Sequence, residues 1–166
     1  MAAAGPPPPP SPSPPPFPAG ADLVTLFNAH RGGFELTIGL VFTKVERDEV
    51  AAEVPVGPHL TQPYGLVHGG VYASIVETLA SSGAAIHAMQ LGKTSVGLEN
   101  TTSFVRAVRS GKLVAVATPV HRGSGSQVWE VKISDEHGKL AATGRVRTLS
   151  LPPGAKVAGE VVGVKT

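Results

Sequence analysis

The hydrophobic pattern is densest between Gly69 and Leu91, which read GGVYASIVETLASSGAAIHAMQL. Val71/Ile75, Ile75/Leu79 and Leu79/Gly83 are spaced one helical turn apart, and Ala73, Ala80, Ala84 and Ala88 occupy the reverse side. A segment that is apolar or small nearly all round predicts a buried helix. At ~1.5 Å per residue it runs roughly 30 Å, the width of a small domain. The flanks have the period of strands. Val50, Ala52, Val54 and Val56 alternate with Glu49, Ala51, Glu53 and Pro55. Residues 34–46 and 49–56 are therefore expected as two strands turning at Arg47-Asp48. A short helix, Leu23 to His30, capped by Asp22 and stopped at Gly32-Gly33, precedes them. Gly57 to Val67 is a loop containing Pro58, Pro63 and Gly65. After Gly92, residues 94–105, 112–121, 126–135 and 139–150 read as four more strands. Their short connections predict antiparallel neighbours. The expected fold is α+β, with one long helix wrapped by a curved antiparallel sheet.

Composition sets the limits of that domain. Ten of the sixteen prolines fall in residues 1–20, a stretch that favours polyproline II and buries almost nothing. We expect a disordered tail there, a folded domain over residues 21–151 and a loose tail over 152–166. The chain is 166 residues long, with 42% hydrophobic and 16% charged residues, which suits one globular domain and excludes disorder throughout. Cysteine is absent, which excludes disulfides and thiolate zinc sites. The first basic residue is Arg31, so the N-terminal stretch fits neither a secretory signal nor a transit peptide. No apolar segment spans a bilayer, and Val164-Lys165-Thr166 is not a peroxisomal address. The expected location is cytoplasmic. A net charge of +2 does not suggest a general nucleic-acid binder. Residues 1–92 carry a net −4, however, and residues 93–166 a net +6. The basic half reads either as solvated strand edges or as a site for a phosphate-bearing small molecule.

Candidate chemistry concentrates around the long helix. Between Val71 and Met89 the only charged residue is Glu77. A lone carboxylate on a buried helix costs several kcal/mol unless it is paired or performs chemistry. Ser81 follows one turn later, on the same face. Gln62-Pro63-Tyr64-Gly65-Leu66-Val67-His68-Gly69-Gly70 leads into the helix. Its two glycines let a ligand approach backbone N–H groups that have no partner within the helix, aided by the helix dipole. Such groups polarise a carbonyl. Gln62 offers a further side-chain donor. His68 lies nine residues before Glu77 and belongs to the helix start rather than beside the carboxylate. The histidines show no metal-ligand spacing, and no metal site is expected. Arg122-Gly123-Ser124-Gly125-Ser126 is either an ordinary hairpin turn or a cradle for a phosphate or amide. Trp129 is expected in the sheet core, and Arg106, which follows a strand, is either a rim cation or a phosphate contact.

Together these residues resemble the hotdog-fold acyl-CoA thioesterases, from about Gly39 to Leu149. The resemblance is carried by Gln62-x-x-Gly65-Leu66-Val67-His68-Gly69-Gly70 with Glu77 in the helix. Asn100-x-Thr102-Ser103-Phe104-x-Arg106, His121-x-Gly123-Ser124 and Trp129-Glu130-Val131 complete it. The subgroup with Glu on the helix is the most similar, including 4-hydroxybenzoyl-CoA, phenylacetate-pathway and dihydroxynaphthoyl-CoA thioesterases. The resemblance implies a dimer or tetramer with the site at the dimer interface. It implies that Glu77 acts as nucleophile or general base, assisted by Ser81. It implies that the Gly69 N–H polarises the thioester carbonyl, positioned by Gln62 and His68. Arg106, Gly123 and Ser124 would meet coenzyme A, which is part of the substrate; no separate cofactor is implied. The turn departs from relatives that carry hydroxyls at consecutive positions, which bears on individual coenzyme A contacts. The expected reaction is hydrolysis of an aromatic acyl-CoA, with a medium- or long-chain fatty acyl-CoA, or acyl-CoA binding without catalysis, as alternatives. A hotdog dehydratase would carry His followed by Gly-Pro, where this chain has His68-Gly69-Gly70.

Overall fold

The computed structural model describes Phe17, and residues 20–162 without interruption. The proline-rich tail expected over residues 1–20 otherwise lies outside the described residues, as do residues 163–166. Helix α1 spans Leu23–Ala29, with the Asp22 carboxylate accepting from the Val24 and Thr25 backbone N–H groups. The next segment corrects the sequence reading. Residues 34–46 are not one strand: α2, Gly33–Ile38, precedes β1, Val41–Val45. Gly32-Gly33 is thus a helix start, because the Glu35 carboxylate reaches back 2.6 Å to accept from the Gly32 N–H. Gly39, left-handed at φ 69°, then ends α2.

Strand β2, Val50–Pro55, follows, and after a single 3-10 turn at Pro58–Leu60 comes the long helix α3, Gly69–Gln90. The remaining strands are β3, Thr94–Phe104; β4, Lys112–Arg122; β5, Ser126–Asp135; and β6, Leu140–Leu151. The sheet is six-stranded and antiparallel, in the order β1-β2-β4-β5-β6-β3. It curves around α3, which packs against β2, β3, β4, β5 and β6. In the expected loose tail, residues 156–161 form a small exposed hairpin, β7 (Lys156–Val157) and β8 (Glu160–Val161).

The strand order overturns one expectation. β3 and β4 are joined by a short connection yet are not neighbours: β3 pairs with β6, at the far edge. Three strand spacings of about 4.8 Å separate them, roughly 14 Å. Residues 105–111, which can span about 23 Å when extended, cross that distance easily. The crossing is pinned where Val105 and Arg106 donate to the Ala141 carbonyl and where Val67 donates to the Val108 carbonyl.

The core lies between α3 and the sheet. Ile75, Val76, Leu79, Leu113, Ile133 and Val146 are fully buried, and so is Trp129, as expected. The Trp129 indole N–H donates to Gln127 Oε1, and Gln127 Nε2 donates to the Ala84 carbonyl on α3. The buried amide therefore satisfies both a helix carbonyl and the indole.

Candidate active site

Helix α3 is not buried all round. Its face toward β3, including Ala73, Ser74, Glu77 and Ser81, is only half-buried, and Glu77 opens there onto a cleft. The cleft is lined by Ala73, Ser74, Glu77, Asn100, Thr102 and Phe104. Both carboxylate oxygens of Glu77 have partners. Ser81 Oγ donates to Oε1 at 3.0 Å, and Asn100 Nδ2 donates to Oε2 at 2.9 Å. The first pairing is the one-turn contact foreseen from the sequence. The second comes from β3 and had no expected role.

The carboxylate also needs room at Gly97. A Cβ built there would lie 2.7 Å from Glu77 Oε1. Gly97 and Asn100 are three residues apart, yet both face the helix. A bulge allows this: Gly97 pairs with Thr148 and Glu99 with Arg147, so Leu98 is the extra residue. After the bulge the phase is reversed. Asn100, Thr102 and Phe104 face α3, while Glu99 turns to the other side, where it pairs with Arg147 at 3.5 Å. A regular strand would have turned Glu99 toward the helix and set two carboxylates side by side.

The helix entry forms a second group. His68 caps α3, its Nδ1 accepting from the Gly70 N–H at 2.9 Å. That places the imidazole at the helix start, as the spacing predicted. Gln62 sits in a tight loop, where its Oε1 accepts from the Tyr64 N–H and its backbone bonds Gly65 and Leu66. Arg109 fastens the loop by donating to the Tyr64 carbonyl at 2.8 Å. Gly69 is covered by the Phe104 ring, which a Cβ at Gly69 would approach to 2.8 Å. Phe104 also packs against Tyr72, with ring centroids 5.9 Å apart. Phe104 thus links Gly69 to the cleft containing Glu77, although sequence reasoning gave it no role.

The expected coenzyme A residues are not brought together within one chain. Arg106 follows the C-terminal end of β3, whereas the Gly123-Ser124 turn lies beside its start, since Ser126 and Val96 share Leu149 as cross-strand partner. Ten residues of strand separate the two ends, about 33 Å. Lys93, for which the sequence suggested nothing, donates to the Ser124 carbonyl at 2.6 Å. Among the described residues, no three His, Asp or Glu side chains cluster as metal ligands, and no helix is long and apolar enough to cross a membrane.

A helix enclosed by an antiparallel sheet, with a carboxylate at the helix–edge-strand seam, defines the class of fold. The family model described as Thioesterase superfamily matches residues 64–142. The Mycobacterium tuberculosis protein Rv1847 is 39% identical over 120 residues, 71% of this chain and 86% of that protein. Its solved structure gives a TM-score of 0.72 at 38% identity, covering 76% of this chain and 100% of that one. Proofreading thioesterase EntH of Cronobacter sakazakii is 39% identical over 114 residues, 69% of this chain and 82% of EntH. The Haemophilus influenzae thioesterase HI1161 gives a TM-score of 0.71 at 32% identity, covering 79% of this chain and 89% of that one. The chain belongs to the thioesterase superfamily, with the hotdog fold, and is a hydrolase of thioesters.

Proposed function

We propose that the protein hydrolyses an aromatic acyl-CoA thioester to the free acid and coenzyme A, with Glu77 as the catalytic carboxylate. The observation that carries this is the setting of Glu77: it is held by two donors and opens onto a cleft whose one large apolar wall is the Phe104 ring. Glu77 either attacks the thioester carbon, forming an anhydride that water then opens, or removes a proton from the attacking water. On both routes the C–S bond breaks, the thiolate takes up a proton and one water is consumed. The Gly69 N–H, at the positive end of α3, stabilises the oxyanion. With Gln62 Oε1 committed to Tyr64, the donor end of that amide is left for the substrate.

The complete site is formed by two protomers. Gly69 and Glu77 lie eight residues apart on α3, about 12 Å along its axis, too far to share one carbonyl within a chain. β3 is an edge strand with Leu98 and Phe104 exposed at 52% and 60%, and Val105 just beyond its end is exposed at 57%. A long edge strand with unpaired backbone groups favours pairing with a second copy. Antiparallel pairing of two such edges sets the Ser124 turn of one protomer beside Arg106 of the next, which supports both as coenzyme A contacts.

The test is free-thiol release from benzoyl-, 4-hydroxybenzoyl-, phenylacetyl-, hydroxynaphthoyl-, hexanoyl- and palmitoyl-CoA by wild type and Glu77→Gln. An aromatic ester turned over fastest, with a ~100-fold or greater loss in the variant, is the expected outcome. A preference for hexanoyl- or palmitoyl-CoA would assign the fatty acyl reading instead. Full activity of Glu77→Gln would remove the carboxylate from the mechanism.

A further inference from the structure

We propose that Asn100 is a positioning residue for Glu77, and that Thr102 locks Asn100 in place. The inference rests on the carboxylate reading above. Every polar atom of the Asn100 amide is used. Nδ2 donates to Glu77 Oε2 at 2.9 Å and to the Ala73 carbonyl at 3.0 Å, while Oδ1 accepts from Thr102 Oγ1 at 2.8 Å. Its orientation follows from chemistry. A carboxylate and a backbone carbonyl are both acceptors, so only the NH2 end of the amide can face them. Thr102 then supplies the hydrogen that the amide oxygen needs.

The consequence is geometric. A glutamate has three rotatable bonds, and Ser81 is its own-helix partner, one turn away. Asn100 ties the other oxygen to a different element, β3, and to the carbonyl of Ala73, one turn before Glu77. The carboxylate is thereby fixed from helix and sheet at once, the kind of support that holds a reacting group to productive geometry. The β3 bulge makes this possible, because it brings Asn100 rather than Glu99 to the helix side.

The test measures thiol release with the panel ester that wild type turns over fastest. Asn100→Ala, Thr102→Val and Glu77→Gln are compared, with Asn100→Ala also placed on the Glu77→Gln background. For Asn100→Ala, kcat falls ~10- to 100-fold, as for a displaced reacting group, with KM little changed. Thr102→Val gives a smaller loss of the same kind. On the Glu77→Gln background, Asn100→Ala adds no further loss, because the group it positions is already gone. A residue that merely braced β3 would instead alter KM and add its full loss on that background. Unchanged kcat in Asn100→Ala beside an inactive Glu77→Gln overturns the positioning role alone. Full activity of Glu77→Gln overturns the reading beneath it. Should Asn100→Ala fail to fold, Thr102→Val decides the question, and an unchanged kcat there overturns the proposal.

Discussion

Gly97 faces Glu77 so closely that a methyl group in place of its hydrogen would lie 2.7 Å from the carboxylate Oε1. The atom that must yield is the far end of a flexible side chain, not backbone. Gly97→Ala is therefore expected to leave thermal stability nearly unchanged while lowering kcat by ~10-fold or more, since the carboxylate is displaced from its donors. Melting curves run beside initial rates check this. A variant that melts early at full specific activity contradicts it.

Gly83 presents the opposite case. A Cβ there would meet the Trp129 ring at 2.5 Å, and that ring is fully buried with its N–H bonded to Gln127. Neither partner can move cheaply. Gly83→Ala is expected to destabilise the fold by about 1–3 kcal/mol, as overpacking does, with kcat per folded molecule retained. Chemical denaturation gives the stability directly.

His87 gives the fold a pH dependence. Burial, and then the charges of Arg122 and Arg47, hold its pKa below the ordinary 6.5. The unfolded chain therefore binds the His87 proton more readily than the folded one. The neutral imidazole's contribution to stability is fully present above pH 6.5 and is lost as pH falls through the depressed folded value. Melting temperatures of wild type and His87→Gln, compared from neutral to mildly acidic pH, should show a shallower acid-side decline in the variant. Parallel curves would remove His87 as the cause.

The proposed sharing of the site between two copies of the chain has a direct test. Gly69→Pro removes the proposed oxyanion donor at the first helical position, where proline is tolerated and the preceding His68 is already extended, at ψ 138°. The half-exposed Phe104 ring has room to shift. Gly69→Pro and Glu77→Gln should each be inactive alone. Co-expressed, they should regain part of wild-type activity through mixed dimers, in which one site draws both intact groups. No recovery in a verified mixed dimer would place Gly69 and Glu77 in the same site of one chain.

Much of this fold was legible in the sequence because its signals were local. The apolar run of α3, the alternation in β2 and the Asp22 cap all act within a few residues. Helix α2 was misread because Gly32-Gly33 is an ordinary stop signal, and the Glu35 contact that makes it a start is visible only in three dimensions. The place of β3 beside β6 was misread because the short connection suggested a hairpin, whereas residues 105–111 cross two intervening strands, β6 and β5. Glu77, Ser81, His68 and Gly69 were legible as isolated chemistry on an apolar helix. The contact from Asn100 to Glu77 was not, because strand alternation without the bulge turns Asn100 the other way.

The bulge at Leu98 makes chain length in β3 a chemical variable. Adding one residue between Gly97 and Asn100, with the single-residue bulge kept, exchanges the two faces of the strand beyond the bulge and turns the amide outward. Removing Leu98 straightens the ladder yet keeps Asn100 opposite Glu77. Insertion and deletion at this spot are therefore unequal events for the enzyme. A shortened β3 keeps its chemistry, and a lengthened one scrambles it.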